Sequence, residues 1–226
     1  MRLTKYEHAC LLLTVGDESI VIDPGVFLTP PDFTAVVAVV ITHEHPDHCV
    51  DVYGLHVLMR YGLEREGLPV FAPHGLADHL GQLVGGDWGN AFEWLPIDES
   101  EHATCGDLTM RFSRTDHPPP TYAVEATSNG KRMIYTSDTG PGWSVDAFDR
   151  GADLVLSEAT YLHGEKPTEI HLSAHEAGKA AREAGARRLM LTHLWPRLDV
   201  HRAVDEGSDA FGDPVVLAAP HLVTRV

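Results

Sequence analysis

The chain is poor in cysteine, in basic residues and in long apolar runs. Its three cysteines, Cys10, Cys49 and Cys105, are scattered and form no CxxC pair. That pattern excludes a disulfide framework and a structural zinc finger, and it points to a reducing compartment. The longest aliphatic run is Ala35 to Ile41. A membrane-spanning helix needs roughly 20 apolar residues, so no membrane partner is expected. Arg2 and Lys5 are followed by neither a secretory apolar core nor a small-residue cleavage site, and a cytoplasmic location is expected. Lysine and arginine total 17 against 33 acidic residues, a formal charge of -16. Such a field repels nucleic acid at long range, and no Lys/Arg cluster reverses it locally. No linker, low-complexity block or repeat divides the 226 residues. One domain over 1–226 is expected, large enough to bury its own core.

Histidine is what the chain has in abundance. There are 15, nearly as many as all lysines and arginines together. Imidazole is the commonest metal ligand and the acid or base best suited to neutral pH.

Strands alternate with helices, so the class is mixed α and β. Cys10–Val15 and Ser19–Ile22 flank a turn at Gly16-Asp17, a hairpin signal. Ala35–Ile41 reads as a buried strand. A helix is expected from about Asp51 to Tyr61, a short strand over Leu68–Phe71, and a helix face at Leu76, Leu80 and Leu83. Leu108–Asp116 alternates like a strand. Arg132–Thr136, Asp153–Leu156, Arg188–Leu191 and Val215–Ala218 read as further strands. Ser173 and Glu176 form a capping box before the alanine-rich turns ending at Gly185, and Asp199 caps a last helix.

The strand ends carry the chemistry. Five apolar strands run into Thr42-His43, Thr115-Asp116-His117, Thr136-Ser137-Asp138, Ser157-Glu158 and Thr192-His193. In layered α/β folds, sites gather at the carboxyl ends of strands. The densest motif is His43-Glu44-His45-Pro46-Asp47-His48, directly after the buried strand. His43 and His45 can reach one ion from a single turn, and Asp47 and His48 can face a second. Imidazole nitrogen with carboxylate oxygen suits zinc, and also manganese or iron. The bland alternative is a solvated histidine-rich loop, which the placement after a core strand argues against.

This HxHxDH pattern after a valine-rich strand resembles the metallo-β-lactamase superfamily. Ile20-Val21-Ile22-Asp23-Pro24-Gly25 is similar to the superfamily's first motif, whose Asp braces the metal loop. His117, Asp138 and His193 resemble the later ligands, in the expected order. The resemblance spans the chain and implies an α+β fold, a four-layer αβ/βα sandwich with two divalent metals at one edge. It implies that His43, His45 and His117 hold the first metal, that Asp47, His48 and His193 hold the second, and that Asp138 bridges both. Asp116 is a competitor for His117.

The second half is similar to ribonuclease Z and its phosphodiesterase relatives, through Ser157-Glu158-Ala159-Thr160, His171-Leu172-Ser173 and Leu191-Thr192-His193. In that branch Glu158 and His171 would form a pair that protonates the leaving oxygen. The physics agrees: an alkoxide needs a general acid, and a histidine held by a carboxylate keeps its proton near neutral pH. His45-Pro46-Asp47-His48-Cys49, Gly54-Leu55, Arg60-Tyr61 and Arg150-Gly151-Ala152-Asp153 resemble the short, atypical cyclic-nucleotide phosphodiesterases of this branch. The segment Tyr6-Glu7-His8-Ala9-Cys10 departs from it and resembles the UlaG-type branch, with Glu7 in place of a glycine. For His8 two readings stand, an approach to the site and a packed or exposed strand residue, and the second is expected.

Together these readings imply a binuclear metal-dependent hydrolase of a small phosphodiester such as a cyclic nucleotide. The metals would lower the pKa of a bridging water, Asp47 would orient it, and His171 backed by Glu158 would donate the proton. The rivals are a lactonase or thioesterase on the same fold, a diiron redox protein, ribonuclease Z-like RNA processing, and a non-catalytic metal-binding module. The charge and the lack of a basic Gly/Pro-rich arm argue against RNA. Superfamily members are often dimers, so the resemblance allows a homodimer. Trp88, Trp94 and Trp143 read as packing residues, Trp195 and Arg197 as rim residues, and His74 as the start of a helix near the site.

Overall fold

The computed structural model describes residues 1–25 and 31–226. These divide into two compact units. The first comprises Met1–Asp98, Cys105–Asp107 and Pro220–Arg225; the second comprises Glu99–Thr104, Leu108–Ala219 and Val226. Each is built on a mixed seven-stranded sheet.

The first unit opens with β1 (Arg2–Lys5), β2 (Leu11–Val15) and β3 (Glu18–Ile22), paired antiparallel. The two-residue turn Gly16-Asp17 closes the expected hairpin, with Val15 opposite Glu18. Next come β4 (Val36–Val40), β5 (Leu68–Ala72) and β6 (Phe92–Pro96), all parallel to β3. Parallel strands need crossovers. These are α1 (Pro46–Cys49), α2 (Val52–Val57) and α3 (Leu76–Gly81). A core of Val21, Val39, Ile41, Val52, Leu55, Met59 and Val70 lies under them. Each fully buried aliphatic side chain there contributes roughly 1.5–3 kcal/mol. The helix expected to reach Tyr61 passes into a π-helical turn over Leu58–Gly62. Leu83 does not join the expected helix face and is 79% exposed. After Gly81 the chain tightens into a 3₁₀ turn, Gln82–Val84, and three residues per turn rotate that position off the α-helical stripe.

The second unit repeats the plan. Its strands are β7 (Ala103–Cys105), β8 (Leu108–Arg114), β9 (Tyr122–Ser128), β10 (Lys131–Tyr135), β11 (Leu154–Glu158), β12 (Leu189–Thr192) and β13 (Val216–Leu217). β8 to β10 are antiparallel, and β10 to β13 are parallel. Strand β9 is absent from the sequence reading because Glu125 interrupts it. That carboxylate is buried and held by Arg111 Nε at 2.6 Å and by Arg132 Nη2 at 2.7 Å from the flanking strands. Helix α4 (Ala174–Glu183) carries the expected capping box, and α5 (Val200–Phe211) is capped by Asp199. The two helices pack closely: a Cβ on Gly178 would lie 2.5 Å from the Gly207 carbonyl. After α5 the chain returns to the first sheet as β14 (Val223–Arg225), antiparallel to β1. No helix of the described residues is long and apolar enough to cross a membrane.

Candidate metal centre

In the first unit, everything converges on Asp23. The residue follows β3 in a left-handed conformation, φ 53°, and is fully buried. A non-glycine residue there is uncommon and marks a position held by its surroundings. Its Oδ1 accepts the Thr42 amide at 2.8 Å, and its Oδ2 accepts the Thr42 hydroxyl at 2.9 Å and His48 Nδ1 at 2.8 Å. Because the Thr42 proton goes to Asp23, its oxygen is left to accept from His43 Nδ1, 3.1 Å away. Both rings therefore turn an Nε2 lone pair away from the carboxylate, the tautomer a metal ligand needs. His43 Nε2 and His45 Nδ1 lie 3.0 Å apart. Two nitrogens sharing one tetrahedral zinc at 2.0–2.1 Å stand about 3.3 Å apart, so the pair fits a common cation.

The loop itself is braced from behind. The Pro24 carbonyl accepts the Asp51 amide at 2.9 Å. A Cβ on Gly25 would fall 1.6 Å from the Asp47 carbonyl, so only glycine fits beneath the loop. His8 departs from the expectation of a strand residue. It sits in a left-handed turn, φ 46°, and its Nε2 lies 2.7 Å from Asp47 Oδ2. Lys5 holds that turn, donating to the carbonyls of Tyr6 and His8. Burial pulls the Lys5 ammonium down to about 8, against the opposing pull of Cys10, Glu7 and Asp23. Burial also pushes the Cys49 thiol, next to His48, up to about 12, which keeps it protonated and disfavours it as a ligand.

In the second unit, Glu158 plays the part of Asp23. It ends β11 fully buried. Its Oε1 accepts the Thr139 amide at 2.8 Å and His171 Nδ1 at 3.0 Å. Its Oε2 accepts the Thr160 hydroxyl at 2.7 Å and the Thr160 amide at 3.3 Å. The Thr160 oxygen then accepts from His193 Nδ1 at 3.0 Å. His193, like Ser137 before Asp138, has a left-handed backbone, with φ 55° and 52° respectively. His117 Nδ1 donates to the Ile170 carbonyl at 2.8 Å. Asp138 presents one oxygen to each imidazole: Oδ2 is 4.0 Å from His117 Nε2, and Oδ1 is 3.6 Å from His193 Nε2. Such spacings suit ligands that share a cation rather than direct hydrogen bonds. Asp116 does not compete with His117. Its Oδ2 accepts the Gly142 amide at 2.8 Å and its carbonyl accepts the Gly140 amide at 2.7 Å, shaping the loop after Asp138.

The first unit thus gathers His43, His45, Asp47 and His48, and the second gathers His117, Asp138, Glu158, His171 and His193. Sequence reasoning missed the roles of Thr42 and Thr160, although each stands beside or two residues from a residue it did single out. Trp195 and Arg197 are exposed.

This fold and these clusters define a class. The metallo-β-lactamase fold protein YhfI of Bacillus subtilis superposes with a TM-score of 0.85, covering 99% of this chain and 99% of that one at 23% identity. The chain has that metallo-β-lactamase fold, of the α+β class. In sequence it is 30% identical to the probable metallo-hydrolase YhfI over 200 residues, 84% of this chain and 80% of that one. It is 34% identical over 191 residues to the protein Rv1339 of Mycobacterium tuberculosis (strain ATCC 25618 / H37Rv), 80% of this chain and 70% of that one. It is 27% identical to the ribonuclease Z of Salinispora arenicola, covering 93% of this chain and 88% of that one. Residues 19–194 match the model of the beta-lactamase superfamily domain, and the chain belongs to that family.

Proposed function

We propose that the protein is a metal-dependent hydrolase of a small phosphodiester, such as a cyclic nucleotide. One observation carries the choice of bond: His171 Nδ1 is fixed on a fully buried Glu158 at 3.0 Å, within the cluster that also holds Asp138 and His193. A carboxylate-backed imidazole is the acid that an alkoxide leaving group requires, and ester or lactone cleavage needs it less. The likeness to a ribonuclease Z, a name that denotes phosphodiester cleavage, supports the same bond. The charge of -16 favours a small substrate over a polynucleotide.

In this reading His43, His45 and His117 would hold one divalent cation, Asp47, His48 and His193 would hold another, and Asp138 would serve both. Zinc suits this nitrogen and oxygen set, as do manganese and iron. When bound, the cations supply the charge that acidifies a water and polarises a phosphoryl oxygen. Asp47, steadied by His8, orients the attacking water. His171 gives its Nε2 proton to the departing oxygen, and Glu158 keeps the ring in place.

The test is hydrolysis of bis(p-nitrophenyl) phosphate by metal-reconstituted protein, with a chelated control. Chelator-sensitive release of nitrophenolate is expected. A folded protein carrying two metals that leaves the diester intact but cleaves carboxyl esters or lactones would overturn the phosphodiester reading.

A further inference from the structure

In the second unit a series of rings runs outward from His171. Tyr161 meets the His171 ring at 6.1 Å and 75°, edge to face. Trp195 lies beyond it, 6.2 Å from Tyr161 and tilted by 31°. Exposure grows along the series: the His171 side chain is 14% exposed, Tyr161 is half-buried, and Trp195 is 56% exposed. Of the four tryptophans only Trp195 is exposed; Trp88 is buried, and Trp94 and Trp143 are half-buried. Ile170, directly before His171, is a second exposed apolar residue.

The backbone under these rings is tied down. The Trp195 amide donates to the Thr160 carbonyl at 3.2 Å, and the Trp195 carbonyl accepts the Leu198 amide at 2.8 Å. Thr160 is the residue whose hydroxyl links Glu158 to His193. The Tyr161 amide donates to the Leu172 carbonyl at 3.2 Å, and the Tyr161 carbonyl accepts the Ala174 amide at 3.0 Å. Tyr161 is thus fastened to the segment that begins with His171, and Trp195 to the relay that holds His193. Tryptophan usually gives up most of its surface on folding. Trp195 is anchored at its backbone and keeps its ring open. Single exposed apolar residues are ordinary, whereas exposed apolar surface joined to a site marks ligand binding.

We propose that Trp195 stacks on the base of a nucleotide substrate whose leaving oxygen sits at His171. Resting on the phosphodiester reading, the inference adds a specificity-determining residue and the part of the substrate it reads. Glu158 takes His171 Nδ1, so the leaving oxygen meets Nε2, and the alcohol it belongs to extends outward along Tyr161. At most two ring spacings separate His171 from Trp195, a gap that a nucleoside spans. A short alkyl alcohol would leave the indole uncovered. Stacking also suits the charge of this chain. An aromatic face accepts any base and needs no cation, whereas the formal charge of -16 leaves few cations to spare for recognition.

Tryptophan emission tests this without reference to turnover. As the one exposed tryptophan, Trp195 supplies the red edge of the spectrum. In metal-reconstituted protein, adenosine, which carries no phosphate, is expected to quench that edge saturably. Trp195→Phe is expected to remove the quenching and leave the emission of the other three. Quenching that only rises linearly, as for free N-acetyltryptophanamide, is collision with an open ring and overturns the inference. Emission unmoved by adenosine, guanosine, cytidine and uridine overturns it too, whatever the turnover. With a 3′,5′-cyclic nucleotide, Trp195→Ala is expected to raise KM roughly 5- to 100-fold with little change in kcat, the weight of one base–aromatic stack. Trp195→Phe, which keeps a ring, is expected to raise it less. Ribose 3′,5′-cyclic phosphate, the same ester without a base, is expected to show an unchanged KM with Trp195→Ala. An equal rise for both esters means that Trp195 serves only the backbone around Thr160, and overturns the inference. Saturable quenching in a protein that cleaves no phosphodiester supports the stacking site and removes the proposed reaction.

Discussion

The two units build their histidines with the same chain of hydrogen bonds. In each, a fully buried carboxylate holds one imidazole directly and a second through a threonine hydroxyl. Asp23 holds His48, and His43 through Thr42. Glu158 holds His171, and His193 through Thr160. The difference lies in the directly held ring. His48 Nε2, the nitrogen turned away from Asp23, lies 3.7 Å from the Asp47 carboxylate oxygen Oδ2. His171 instead has its Nδ1 toward both neighbouring carboxylates, 3.0 Å from Glu158 and 4.0 Å from Asp138. Its Nε2 is therefore on the far side of the ring from both. In the proposed function, one architecture serves a ligand in the first unit and a proton donor in the second.

The largest effect expected from breaking this pairing is on the directly held histidines. If His171 is the proposed acid, His171→Ala lowers kcat by roughly 10²- to 10⁴-fold, the usual contribution of a general acid, and leaves the metal content unchanged. His48→Ala should lose metal as well as activity. Metal content by atomic emission, measured beside turnover, separates the two. Full turnover in the His171 variant would remove the proton-donor role and make the two relays equivalent.

A smaller effect is expected one step back, at the carboxylates. Asp23→Asn and Glu158→Gln keep the shape but face an amide group toward donors that need an acceptor. Loss of such outer contacts typically lowers metal affinity 10- to 100-fold. Excess metal should therefore restore turnover to the Asp23 variant. It should not restore the Glu158 variant, because His171 stays misplaced at any metal concentration. Equal rescue of both would mean that Glu158 serves only His193.

The same contrast decides what the sequence could disclose. The first unit's candidate ligands fall within His43 to His48 after an apolar strand, so chemistry and position are visible together. The second unit's are scattered from His117 to His193. His117, Asp138, Glu158 and His193 stand out because each follows a strand running into a small hydroxyl residue, a pattern read from five strands at once, but their roles, and His171 altogether, come only through the family resemblance. The hydroxyls themselves went unread as relays, since a threonine at a strand end is ordinary until its partner across space is known. For His8 the sequence leaves an approach to the site as the weaker of two readings, for a related reason. Its approach to Asp47 depends on a left-handed turn stabilised by a buried lysine, and neither has a local signature. Strand β9 was hidden by Glu125, a charge whose two arginine partners lie on neighbouring strands.

The smallest effect is on stability, and here the units diverge again. Each has a nearly buried lysine. Burial draws Lys5 down to about 8 from 10.5. Burial alone would lower Lys166 too, but hydrogen bonds to Glu169 at 2.9 Å and to Glu176 at 2.9 Å and 3.0 Å outweigh it and raise its pKa. The signs of the pH dependence are therefore opposite. Between pH 8 and 10.5 the unfolded chain still holds the Lys5 proton that the folded chain has lost, so this residue makes stability rise with pH, by at most ~3 kcal/mol at about 1.4 kcal/mol per pKa unit. The Lys166 contribution is complete below its unfolded pKa and fades only as pH climbs through the raised folded value. Urea titrations of Lys5→Met across pH 7–10.5 should therefore lose an upward slope that the wild type and Lys166→Met both keep. If the Lys5 variant keeps that slope, the ammonium stays charged in the folded protein, and the turn that carries His8 rests on a buried cation.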